Sequence, residues 1–125
     1  MDNKIKSIVD EIKNIKGVEG IYLFGSYAKK KTKPFSDIDI CVITDKDIQK
    51  NVKEKILSYS SKKLDISILS DLPLNIQFRV FKEGKLLYQK DELFLHRTRG
   101  SIVKSYLDFK PIFNRHYRRI LDKHV

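Results

Sequence analysis

At 125 residues the chain has the length of one domain with one core, and is too short for a separate substrate-binding domain beside it. Its 26 Lys and Arg against 16 Asp and Glu give a formal charge of +10, which points to an acidic partner such as nucleotide phosphate, nucleic acid or an acidic protein surface, while 41% hydrophobic residues exclude a disordered chain. One cysteine excludes an internal disulfide, no apolar run approaches the roughly eighteen residues a membrane span requires, and no signal peptide is evident, so a cytoplasmic protein without a membrane partner is expected.

From residue 2 to 15 the residues Ile5, Ile8, Val9, Ile12 and Ile15 recur at helical spacing, and Gly17 is placed to end that helix. Residues 18–24 read as a buried strand that Gly25-Ser26 breaks, followed by a short helical stretch over 27–31. Lys29, Lys30, Lys31 and Lys33 then lead to Pro34 in a loop, and the apolar run from Asp37 to Ile43 is a second strand. Helical spacing returns over 47–59 through Ile48, Val52, Ile56 and Leu57. A third strand is predicted over 63–69, with Asp65, Ser67 and Leu69 on one face and Leu64, Ile66 and Ile68 on the other. A helix over 74–82, a turn at Glu83-Gly84 and a short strand over 86–88 complete the sheet region. Two more helices follow, one over about 91–108 and one after Pro111, where proline suits a first helical turn. The pattern predicts a single α/β (α+β) domain over 1–125, with a mixed sheet of about four strands, helices mainly on one side, and a C-terminal helical segment over 91–125.

The most informative feature is Asp37-Ile38-Asp39, separated from Gly25-Ser26 by the ten residues 27–36. A strand has period two, so both carboxylates project from one face, and two like charges on a half-buried strand are costly unless a cation neutralises them. Glycine permits close backbone approach, the serine hydroxyl can donate a hydrogen bond, and the start of a following helix favours anions, so phosphates can dock at Gly25 and Ser26. The carboxylates would hold one or two Mg2+ ions bridging phosphate oxygens. If Asp65 lies on the adjacent strand and faces the same way, it completes a three-carboxylate site and can accept the proton of an attacking hydroxyl. The reaction class is then nucleotidyl transfer. Against this stand the plainer readings that Asp37 and Asp39 are solvated acids at a strand entry, that Asp65 is merely exposed, and that Gly25-Ser26 is an ordinary turn.

Gly25-Ser26, the fixed gap, Asp37-x-Asp39 and the later strand acid resemble the minimal nucleotidyltransferases of the DNA polymerase beta superfamily. In particular the chain is similar to the MNT antitoxins that pair with HEPN ribonuclease toxins, a likeness carried also by Glu83-Gly84-Lys85-Leu86-Leu87-Tyr88 and by Tyr106-x-Asp108-Phe109. The resemblance implies the polymerase-beta-like nucleotidyltransferase fold and transfer of AMP from ATP, with two Mg2+, onto a tyrosine of a HEPN ribonuclease toxin. In it Gly25 and Ser26 would hold the triphosphate, and Asp37, Asp39 and Asp65 would be the catalytic and metal-binding carboxylates. Many relatives carry Gly or Arg-Gly where this chain has Lys29, Lys30 and Lys31. The alternatives are a nucleotidyltransferase acting on a small molecule or an RNA end, and a basic binding module without catalysis.

Other residues carry plainer readings. The lysine run at 29–33 either steers ATP or an acidic toxin or is a solvated loop. Cys41 reads as core filler, and His96, His116 and His124 lack metal-site spacing. Arg119 and His124 match the Arg-x4-His pattern of HEPN ribonucleases by chance, since no room exists for that domain. The apolar face of the last helix reads as mostly core, while its ends and basic flank could dock a partner. Direct nucleic-acid binding is a weaker use of the positive charge, because a pure nucleic-acid binder has reason to avoid an acidic triad.

Overall fold

A pleated strand sends successive side chains to opposite faces, so a strand covered on both faces must be apolar at nearly every position. β1 (Val18–Phe24) and β2 (Ile38–Thr44) meet that condition, and each has four consecutive buried residues. They form the centre of a four-stranded sheet of order β3-β2-β1-β4, with β3 (Leu64–Ile68) and β4 (Lys85–Gln89) at the edges. β1 runs antiparallel to both of its neighbours, whereas β2 and β3 are parallel, which makes the sheet mixed. The computed structural model describes residues 3–25 and 38–123, and side chains as far as residue 109. The expected helical stretch over 27–31 and the lysine run at 29–33 lie outside the described residues.

Helices cover both faces. On one, α1 (Asn3–Lys13) and α2 (Lys50–Leu57) set Ile5, Val9, Ile12 and Ile56 against Ile21, Leu23, Ile40, Val42 and the buried row of β3. α2 also makes the crossover that two parallel neighbours require. On the other, Leu69 from a single 3-10 turn, Val80 and Phe81 of α3 (Leu74–Glu83) and Leu95 of α4 (Glu92–Lys123) close over Tyr22, Cys41 and Ile43. The expectation of helices mainly on one side is therefore corrected. Both faces of β1 and β2 are apolar, so an uncovered face would leave that area in water at about 25 cal/mol per Å2.

The strands and the first three helices fall within a few residues of the sequence reading, and Gly17 turns the chain into β1 at φ 100°. The two expected C-terminal helices are one: α4 continues through Pro111. An interior proline forfeits one N–H donor and crowds the carbonyl four residues back, at about 3 kcal/mol, but its ring holds φ near about −65°, which is itself helical, so the flanking turns can carry it. Among the described residues, no helix is long and apolar enough to cross a membrane.

Cys41 sits at 0% exposure in the second core, and burial pushes its thiol up to about 12. Two outcomes are expected. At pH 8 the native protein resists thiol-specific alkylation while the denatured protein reacts fully, because only the thiolate attacks. Stability should also fall with alkaline pH. The unfolded thiol loses its proton from about pH 9 while the folded one keeps it to about 12, so the slope is at most about 1.4 kcal/mol per pH unit in that window. Tyr22, also raised by burial, adds to the loss above its ordinary value. Urea melts of the wild type and Cys41→Ala between pH 8 and 11 measure the cysteine share as the slope that the variant lacks.

Candidate active site

The face of β2 that buries Cys41 and Ile43 begins at Asp39, and the corresponding face of β3 begins at Asp65. In the parallel register Asp39 stands opposite Asp65 and Cys41 opposite Ser67, so both acids project to the same side of the sheet. The helix pair α3 and α4 covers the Cys41 and Ile43 end of this face. At the acid end Asp39 is half-buried and Asp65 exposed. Apolar residues further along the same strands lock the register, and a slip by one residue would turn both carboxylates into the first core.

On its other side Asp39 pairs with Phe24, the residue before Gly25. Three strands thereby bring Gly25, Asp39 and Asp65 into one row. Gly25 has φ 79°, in the left-handed region that favours glycine, and a Cβ built on it would collide with Asp39 Oδ2, with Asp39 Cγ at 3.3 Å and Cβ at 3.5 Å. The backbone of the turn lies directly on the carboxylate, and only a residue without a side chain fits there.

Adjacent strands are about 4.8 Å apart, so two ionised carboxylates facing each other across them repel by about 1 kcal/mol in water and about 3 kcal/mol at an effective dielectric of 20. A divalent cation reverses the sign of that term. The donor set is hard oxygen, and Gly25 carries no side chain that would push the Asp39 carboxylate out of the row, so the residues present suit Mg2+. Among the described residues, no group of three or more His, Cys, Asp or Glu is arranged to hold a metal ion. Asp39 and Asp65 supply two carboxylates of the expected triad, while Asp37, like Ser26, lies outside the described residues. The structure thus unites Gly25, Asp39 and Asp65 of the five residues singled out from the sequence.

One residue that the sequence marked only as a turn has a packing role beside this row. A Cβ on Gly84 would collide with the Val80 carbonyl oxygen and come within 3.1 Å of the Leu23 carbonyl oxygen and 3.2 Å of Tyr22. Gly84 thus lets the end of α3 and the start of β4 close on β1 two residues before Gly25. The Glu83-Gly84 pair was a turn signal, but nothing local in it announces that contact.

The sequence model of the family described as "Polymerase beta, Nucleotidyltransferase" matches residues 3–93. A Methanocaldococcus jannaschii protein described as a candidate protein adenylyltransferase is 41% identical over 78 residues, 62% of this chain and 61% of that relative. The chain thus matches about three fifths of the length of this curated relative. Among solved structures, a chain of a toxin-antitoxin crystal structure with AMP-PNP superposes with a TM-score of 0.73 at 22% identity, covering 95% of this chain and 97% of that chain. A chain from a Shewanella oneidensis complex of tri-AMPylated HEPN toxin with MNT antitoxin gives 0.67 at 20% identity, covering 95% and 94%. These two likenesses establish a common fold. The family match takes in all four strands, including each one that contributes to the acid row, and the chain therefore belongs to the polymerase beta nucleotidyltransferase family.

Proposed function

We propose that the chain is a Mg2+-dependent protein adenylyltransferase that transfers AMP from ATP to a tyrosine of a HEPN ribonuclease toxin and so acts as its antitoxin in the cytoplasm. The observation that carries this reading is the register of Asp39 with Asp65 beside the left-handed Gly25. The adenylyltransferase description of the Methanocaldococcus jannaschii relative and the AMPylated HEPN toxin in the Shewanella oneidensis complex support the choice of donor and acceptor. The whole of 1–125 serves as one minimal domain, because Leu95 of α4 packs into the same core as Tyr22 and Val80.

Asp37, Asp39 and Asp65 would hold two Mg2+ ions, which would offset charge on the triphosphate and on the leaving group. Gly25 and Ser26 seat the triphosphate, the first by close backbone approach and the second through its hydroxyl. Asp65 is the most exposed of the described carboxylates in the row and can receive the phenolic proton of the incoming tyrosine. The tyrosine oxygen bonds to the α-phosphorus, the bond from that phosphorus to the bridging oxygen breaks, and pyrophosphate leaves. Half-burial of Asp39 keeps one side of the site away from bulk water, which strengthens each electrostatic contact there.

Incubation of the chain with α-labelled ATP, Mg2+ and a co-expressed HEPN ribonuclease tests the proposal. Label on a tyrosine of that protein, with loss of its ribonuclease activity, is expected. Label on RNA or a metabolite would reassign the acceptor, and no label on any acceptor would leave a non-catalytic basic module.

A further inference from the structure

α4 has two faces, and among the described residues only one of them packs on the domain. Phe94, Leu95, Thr98, Ile102 and Tyr106 form the inward stripe, with Leu95 buried at the sheet and Tyr106 stacked on Phe78 of α3 at 4.0 Å between ring centroids. At about 100° per residue, Leu93, Gly100 and Leu107 fall within about 40° of one another on the opposite side. They repeat every seven residues. Leu93 is 55% and Leu107 54% exposed, and a Cβ on Gly100 would meet nothing within 4 Å. An open groove of about 520 Å3 runs along this side past Gly100, Val103 and Leu107, with Arg99, Lys104 and Asp108 as its charged lining. α4 is also far longer than its support: 32 residues span about 48 Å, against about 23 Å for a seven-residue strand.

Two leucines two heptads apart, with Val103 beside them, give a short apolar stripe on which a second helix can pack, and the glycine between them lets the incoming backbone approach closely. The flanking charges select the occupant. By helical angle Arg97 and Lys104 are the charged residues nearest the seam, and the groove itself is lined by two cations, Arg99 and Lys104, against one acid, Asp108. A second copy of this chain would bring like charges together, on a protein whose net charge is already +10. We infer that the outward face of α4 docks an amphipathic helix of a different protein, with leucine-like residues on its seam and acidic residues at its flanks. The surface is separate from the carboxylate row. Under the proposed function, and resting on that reading, it would hold the acceptor protein whether or not nucleotide is bound.

Fluorescence anisotropy with the full chain tests this, using a labelled helical peptide with leucine at heptad a and d and glutamate at e and g. The wild type is expected to bind it, and Leu93→Glu/Leu107→Glu to bind at least tenfold more weakly with unchanged circular dichroism, since both residues are exposed. Arg97→Glu/Lys104→Glu should lose the glutamate peptide and gain one with lysine at e and g. Asp39→Asn should bind as the wild type does, which separates this surface from the chemistry: failed AMP transfer leaves the docking result standing, and failed docking leaves the transfer result standing. Absence of binding, equal binding of both peptides by the wild type, or a self-dimer that Leu93→Glu/Leu107→Glu dissolves would overturn the inference.

Discussion

Replacing Asp39 by asparagine should lower AMP transfer on the order of 10²–10³-fold, a loss of about 2.7–4 kcal/mol of transition-state stabilisation. The change keeps the side chain's shape and removes one charge, so the fold is expected to persist. The metal-free melting temperature of each protein serves as its own baseline. The wild type should gain melting temperature as Mg2+ is added, because a ligand that binds only the folded state stabilises it, and the variant should gain little. Asp65→Asn is expected to behave alike toward the metal and to lose AMP transfer with it. Activity equal to wild type in both variants would remove the assigned roles. Equal Mg2+ shifts in all three proteins would remove the metal site while sparing the fold.

Gly25→Ala should have the second large effect, through a different cause. A non-glycine residue held at φ 79° costs roughly 1–2 kcal/mol, and its methyl group would also press on Asp39 Oδ2. The carboxylate must then swing off the turn, toward the β3 side, or the turn must shift. Either response disturbs the spacing of the turn and the two carboxylates, so AMP transfer should fall at least as far as in Asp39→Asn, accompanied by a lower melting temperature. A double-mutant cycle divides the two causes. In an Asp39→Ala background the collision with the carboxylate oxygen is gone while the backbone strain remains, so adding Gly25→Ala should cost only that strain. An unchanged penalty in the two backgrounds would mean that the turn does not rest on Asp39.

Much of the architecture was legible because its causes are local. The alternation in 64–68 depends on residues two apart, and the stripe Ile5, Val9, Ile12 on residues three and four apart, so no distant partner was needed to see either. The two departures arose where the cause lies elsewhere in the chain. Helices on both faces follow from the apolarity of both sides of β1 and β2, a reading that requires knowing that these strands are central. Continuation of α4 through Pro111 was hidden because proline is far better suited to a first helical turn than to a helix interior.

The candidate site divides along the same line. The spacing of Asp37 and Asp39, the glycine and serine ahead of them, and the acid at 65 could be read directly, because strand period and side-chain chemistry are properties of a short segment. That Asp65 stands opposite Asp39, that Gly25 lies against its carboxylate, and that Gly84 admits β4 beside β1 came only from tertiary structure. Register between distant strands is set by which apolar rows bury together, and loop closure over tens of residues leaves no local trace of that choice. The outward seam of α4 is the same lesson in reverse. Leu93, Gly100 and Leu107 were always seven residues apart, but until the sheet and α3 claimed the opposite stripe, nothing in the sequence said which face of that helix would be left in water.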